Sequence, residues 1–267
     1  MIFEIFQYSF ITRAFIAGII VAIAAPIIGI FLVLRRYSLI ADTLSHVSLA
    51  GIALGLFFSI NPVLAALFTT VVASFGIEKL RGSKKVYGES ALALFTAGGL
   101  ALAIVLFSLA RGFNTNIFDY LFGSIVTVTQ GDIYMILALA VIAIFILAAF
   151  YKDLVYISFD EDAAQVSGIN TKMVNNILII LTGVTIALSL EIIGVLLIAA
   201  LIVIPVVTAL QFKKSFAKTI FYAEIISILS VISGIIVSFY FNLSTGGTVV
   251  LIMLLVFIVT AIFTKKS

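Results

Sequence analysis

Cysteine is absent from the 267 residues of the chain, so disulfides, thiolate metal ligands and a cysteine nucleophile are all excluded. Charge is scarce as well. Asp, Glu, Lys and Arg make up 10% of the residues against 64% hydrophobic, and the mean hydropathy is +1.35. That balance is far from the soluble globular norm and is that of a polytopic membrane protein. Histidine occurs once, as His46, and proline three times, as Pro26, Pro62 and Pro205. The N-terminal region lacks a basic segment ahead of its apolar run, which is too long for a signal peptide and reads as a retained span.

What is present is a series of apolar runs, at about 14–34, 39–60, 62–77, 91–110, 133–150, 174–190, 192–210, 219–241 and 247–264. Each is long enough, or nearly so, to cross a bilayer as a helix. The expected fold is all-α with nine transmembrane helices, or eight if the short run from Pro62 to Ile77 is re-entrant. Of the 15 Lys and Arg, 13 fall in five places: Arg35/Arg36, Lys79 to Lys85, Lys152 to Lys172, Lys213 to Lys218, and Lys265/Lys266. Nine spans put all five on one side, which the positive-inside rule makes the cytoplasm. The opposite side keeps Arg111, Asp119 and Asp132. The net charge of +3 therefore sets topology and implies no nucleic-acid partner.

The chemistry centres on Arg35 to Gly55, where Asp42 and His46 interrupt an apolar run. Four residues apart on a helix, they share one face and can hold one cation between a carboxylate oxygen and an imidazole nitrogen. At ~1.5 Å per residue from Arg36 they lie ~9 and ~15 Å along the axis, near the middle of a hydrocarbon layer of roughly 30 Å. Ionisable groups at that depth mark a substrate or ion pathway. The plainer alternative is an Asp–His hydrogen bond that locks two helices. Gly51 and Gly55 form a G-x-x-x-G whose role is close packing. Glu191 and Glu224 read as interfacial, with Glu191 a candidate for the outer entrance.

Pro26 and Pro205 interrupt their spans and should kink them beside the pathway. The polar stretch from Phe113 to Gly131 suits a short helix at the outer surface, and Ser244-Thr-Gly-Gly-Thr248 a turn into the last span. On the cytoplasmic side, about 156–173, Ser158-Phe-Asp-Glu161 has the pattern of a capping box and Gly168 that of a stop. A helix from about Phe159 to Ser167 is expected, acidic at Asp160, Glu161 and Asp162, with exposed Phe159 and Val166 marking a docking surface for a soluble partner.

Taken in series, Leu34-Arg-Arg-x-Ser-Leu39, Asp42-Thr-Leu-Ser-His46 with Gly51, Tyr120-Leu-Phe-Gly-Ser124, Phe159-Asp-Glu-Asp-x-Ala164 with Gly168, Gly194-x-Leu-Leu with Pro205 and Ala209, and the Thr-Gly-Gly turn resemble one family. It is the membrane permease subunit of bacterial ABC importers for zinc, manganese and iron. The resemblance covers nearly the whole chain, and the run from Asp42 to Gly51 is most similar to the zinc members. It implies one permease domain over 1–267, a homodimer or otherwise paired permease core, two cytosolic ATPase copies and an extracytoplasmic metal-binding protein, in the bacterial inner membrane. It also implies that Asp42 and His46 meet the transported Zn²⁺ or Mn²⁺, with no permanently bound cofactor. Phe159, Asp160, Glu161, Asp162, Val166 and Gly168 would belong to the ATPase-coupling helix. The chain has no G-x-x-x-x-G-K-[ST] loop, so it is not itself the ATPase. A proton-coupled secondary cation carrier on the same two residues is the alternative. An intramembrane enzyme using Ser45 or Ser48 with His46 is a third reading, and lacks the Gly-x-Ser-x-Gly elbow.

Overall fold

Apolar runs without periodic polar faces give helices that bury one side on each other and offer the other to lipid, and the computed structural model contains twelve. The structure describes residues 9–82, 87–109, 117–123 and 128–264. Lys84, Lys85, Arg111, Ser124, Lys265 and Lys266 lie outside them, as do the side chains of Asp119 and Glu191. In order the elements are α1 (Ser9–Leu34), α2 (Ser38–Phe57), α3 (Pro62–Gly82), α4 (Gly88–Leu109), α5 (Ile117–Phe122) and α6 (Gln130–Ala149). They continue as α7 (Tyr151–Phe159), α8 (Glu161–Val166), α9 (Thr171–Ile193), α10 (Val195–Leu210), α11 (Phe216–Phe241) and α12 (Thr245–Thr264). All regular structure among the described residues is helical.

Among the described residues, eight helices are long and apolar enough to cross a membrane: α1, α2, α3, α4, α6, α9, α11 and α12. The run that looked short, from Pro62, extends as α3 for 21 residues. The short apolar helix is instead α10, at 16 residues. It begins directly at Gly194, whose φ of +86° is left-handed and ends α9 at the same residue. A Cβ there would lie 2.6 Å from the carbonyl carbon of Phe122, so only glycine lets α5 close on this corner.

The two ends of the bundle differ as the charges require. At one end α1, α7 and α11 meet through Phe31, Tyr151 and Phe216, with ring centroids 5.8 and 6.1 Å apart, and Arg35, Arg81 and Glu161 gather beside them. At the other end the C-terminus of α5 rests on Gly194 and Gly246. The described members of the basic clusters thus share one end. The stretch expected as a turn before the last span is already helical from Thr245, and the turn lies at Asn242, with φ +54°.

Pro26 and Pro205 are buried inside α1 and α10, and these helices pack on each other, closely enough that Gly29 abuts the Ile202 carbonyl. Of the two, it is α10 that also packs broadly along α2; α1 meets α2 chiefly at their shared corner.

Candidate functional site

α2 is held from one side by small residues. A Cβ on Gly51 would lie 2.5 Å from the Ala66 Cα of α3, and one on Gly55 2.6 Å from the Pro62 Cα. From α4, Gly99 approaches the backbone of His46 and Val47, and the Thr43 and Thr96 hydroxyls bond at 2.8 Å. Gly183 of α9 lies against Leu44, Thr70 and Ser74. These close approaches leave the other face of α2 to Leu39, Asp42 and His46.

On that face His46 Nε2 stands 3.6 Å from Asp42 Oδ1, with the imidazole side chain 15% and the carboxylate side chain 47% exposed. The pair occupies the fifth and ninth positions of the 20-residue helix, so it lies in the half nearer the basic end. Leu39, on the same stripe, is exposed, whereas Leu49 and Ala53 farther along it are buried in an apolar cluster with Leu106, Leu190 and Val195. The stripe is therefore open toward the basic end and closed beyond His46. His46 Nδ1 is buried without a hydrogen-bond partner among the described residues. Ser45 donates to the Asp42 carbonyl at 2.7 Å, which turns its hydroxyl into the helix and away from the imidazole. No group of three or more His, Cys, Asp or Glu converges among the described residues. One copy of the chain thus offers one nitrogen and one carboxylate to a cation.

Glu224, expected at an interface, is the ninth residue of α11, about 12 Å from the helix start. Both of its carboxylate oxygens are buried without a partner among the described residues, as are the hydroxyls of Ser227 and Ser230 on the same helix. Nothing brings it to Asp42 or His46. The helix carrying Glu191 reaches the Gly194 corner, and its side chain lies outside the description.

The segment at the basic end differs in detail from the expectation. α7 runs through Ser158, whose hydroxyl donates to the Leu154 carbonyl at 2.6 Å instead of capping Glu161. The cap is Asp160, which accepts from the Ala163 amide at 2.9 Å, because a carboxylate placed one residue before α8 reaches the free N–H more directly than Ser158 can. The helix expected over Phe159 to Ser167 is shortened to Glu161–Val166. Gly168, φ +89°, ends it: its amide bonds the Gln165 carbonyl at 3.1 Å and the Ile169 amide the Ala164 carbonyl at 3.1 Å, a Schellman pair. Phe159 is 71% and Val166 90% exposed, and Asp162 is exposed beside them. Glu161 behaves otherwise, since one of its oxygens turns back to Arg35 Nη2 at 3.4 Å and accepts from Asn175 Nδ2 at 3.0 Å.

That inward turn exposes a group of residues that sequence reasoning missed. The guanidinium of Arg35 lies 4.8 Å, and that of Arg81 3.7 Å, from the ring centroid of Tyr37, and Glu78 is within electrostatic reach of Arg81, Arg35 and Glu161. In the sequence Arg35 serves as a topology signal and as part of the Leu34–Leu39 motif; its place next to an aromatic at a helix junction is the available hint of more.

The model of the ABC 3 transport family matches residues 7–264. The chain belongs to that family. Over 254 residues it is 31% identical to the high-affinity zinc uptake system membrane protein ZnuB of Haemophilus influenzae, covering 95% of this chain and 97% of the relative. Over 261 residues it is 30% identical to the manganese transport system membrane protein MntC of Listeria monocytogenes, covering 98% and 93%. The fold is similar to the solved structure of PsaBC from Streptococcus pneumoniae in complex with Fab, with TM-score 0.87 and 26% identity over 97% of this chain and 95% of that one. This ABC-family permease is accordingly a multi-pass membrane protein with eight membrane-length helices among its described residues.

Proposed function

We propose that the chain is the membrane-spanning subunit of an ATP-driven importer of a divalent metal ion, zinc or manganese, in the bacterial inner membrane. The observation that carries this is the Asp42–His46 pair, 3.6 Å apart on a half-open face within a buried membrane helix. A nitrogen and an oxygen are two of the four ligands that zinc usually takes. A second copy facing the first supplies the other two, or water does, which keeps the ion loosely enough held to leave. The names of the relatives support both metals, and an imidazole–carboxylate set suits either. Family membership favours ATP-driven transport over proton exchange on the same residues.

In this reading an extracytoplasmic binding protein delivers the ion to a pair of permeases, and it pauses at Asp42 and His46. The apolar cluster around Leu49, Ala53 and Leu106 closes the path on the far side. Two copies of a cytosolic ATPase dock on the segment at 156–173, where Phe159, Asp162 and Val166 face outward while Asp160 and Gly168 fix the ends of α8. Asp42→Ala or His46→Ala should abolish ATP-dependent uptake of radiolabelled zinc and manganese while the dimer and its ATPase complex still purify. Uptake of both ions at wild-type rates in either variant would remove the site.

A further inference from the structure

α8 is six residues long, buries only Ala164, and packs on α7 and α9. A push on so small an element passes along the backbone to α7 and α9, and reaches helices it does not adjoin through the few side chains that leave it. Glu161 is the one whose side chain crosses to the α1–α2 corner. Its Oε1 faces Arg35 Nη2 at 3.4 Å and Asn175 Nδ2 at 3.0 Å, so one oxygen joins α8 to the end of α1 and to α9. The Arg35 side chain is 2% and the Glu161 side chain 45% exposed, and neither Nη1 nor Nη2 of Arg35 has a hydrogen-bond partner among the described residues, so charge alone holds the two groups together across 3.4 Å. A buried guanidinium in that position follows the carboxylate that neutralises it.

Arg35 in turn is fixed to α2. The corner is tight: the Tyr37 amide bonds the Leu32 carbonyl at 2.7 Å, and Arg36 takes a left-handed φ of +58°. The Arg35 guanidinium stands against the Tyr37 ring, which also carries Arg81 from the end of α3. Tyr37 is the N-cap residue of α2, and Asp42 follows five residues later on the same rigid rod. We propose that the Glu161–Arg35 pair is a strut that carries displacement of α8 to α2 and so to Asp42 and His46, making Glu161 and Arg35 positioning residues for ion release. This rests on the importer reading, and it assigns Glu161 to transmission instead of to the docking surface.

A purely structural ion pair and a strut differ in one readout, the number of ions moved per ATP hydrolysed. The permease is reconstituted in proteoliposomes with its ATPase and with the extracytoplasmic metal-binding protein on the side from which ions are taken up, and radiolabelled zinc and manganese uptake is measured beside ATP hydrolysis. For Glu161→Ala the ATPase should co-purify at wild-type yield and hydrolyse ATP, while ions moved per ATP fall about tenfold. Glu161→Gln, which keeps volume and the acceptor for Asn175, should fall less, and the exchange R35E/E161R should recover part of the loss. If Glu161→Ala instead loses ATPase in proportion to uptake, Glu161 is a docking residue and the strut is wrong. A wild-type ratio in Glu161→Ala also overturns it; should that variant not assemble, the ratio in Glu161→Gln decides in the same way. If the wild-type complex moves neither ion, the importer reading itself fails and the strut falls with it.

Discussion

Glycine positions show how far single side chains govern the candidate site. Gly51 and Gly99 bring α3 and α4 against the back of α2, and a methyl group at either meets backbone at 2.5 and 3.0 Å. Gly51→Val should therefore lower stability by about 1–3 kcal/mol through overpacking, seen as a lower melting temperature in detergent. Gly98, one residue from Gly99, has nothing within 4 Å of a Cβ, so Gly98→Ala should leave that temperature unchanged. The Asp42–His46 spacing and the packing role of Gly51 were legible because both follow from helix geometry alone. The partners of Arg35 and Glu161 were not, since they lie 126 positions apart (161 − 35) and only tertiary packing joins them.

Among the elements, α8 is the one whose sequence pattern misled in an instructive way. A Ser-x-x-Glu signature at Ser158–Glu161 promised a capping box, yet the reciprocal box forms at Thr129 and Asp132, which begin α6 with bonds of 2.8 and 3.3 Å. Two competing acceptors at successive turns cannot both cap one helix, and Asp160 is better placed than Ser158. Gly168 ends α8 at φ +89° with open space around it. Gly168→Ala should thus cost about 1 kcal/mol locally through backbone strain alone, measurable as faster amide exchange at Ile169. Val166→Ala and Phe159→Ala remove exposed apolar groups that no described residue covers. Each should reduce the ATPase recovered on detergent pull-down without changing ions moved per ATP; unchanged recovery in both would move the docking surface elsewhere.

For the molecule as a whole, the distribution of lysine and arginine was sufficient to order the spans, and the fold agrees with it because every described basic cluster falls at one end. α11 runs from that end to the other, flanked by exposed Ser215 and Ser244. The natural chain is free of cysteine, so Ser215→Cys and Ser244→Cys should each give one labelling site. An impermeant maleimide should reach the first only from the cytosolic side and the second only from outside. Seven of the nine apolar runs were recognisable as spans from length and apolarity. The status of α3 and α10 was not, because a run's apparent length depends on where charged residues near its end are tolerated. Glu78, Lys79 and Arg81 extend α3 past its apolar stretch.

The brevity of α10 has a consequence for the lipid environment. Its 16 residues rise about 24 Å, less than the roughly 30 Å of hydrocarbon in a typical bilayer. It is enclosed by α1, α2, α9, α11 and α12, with Leu196 its one exposed large apolar side chain. Matching to the acyl chains therefore falls to peripheral helices such as α4, α6 and α12, which tilt further as the membrane thins. The centre is insulated from that adjustment, so the permease should tolerate lipids of different chain length with the helices of the candidate site undisturbed.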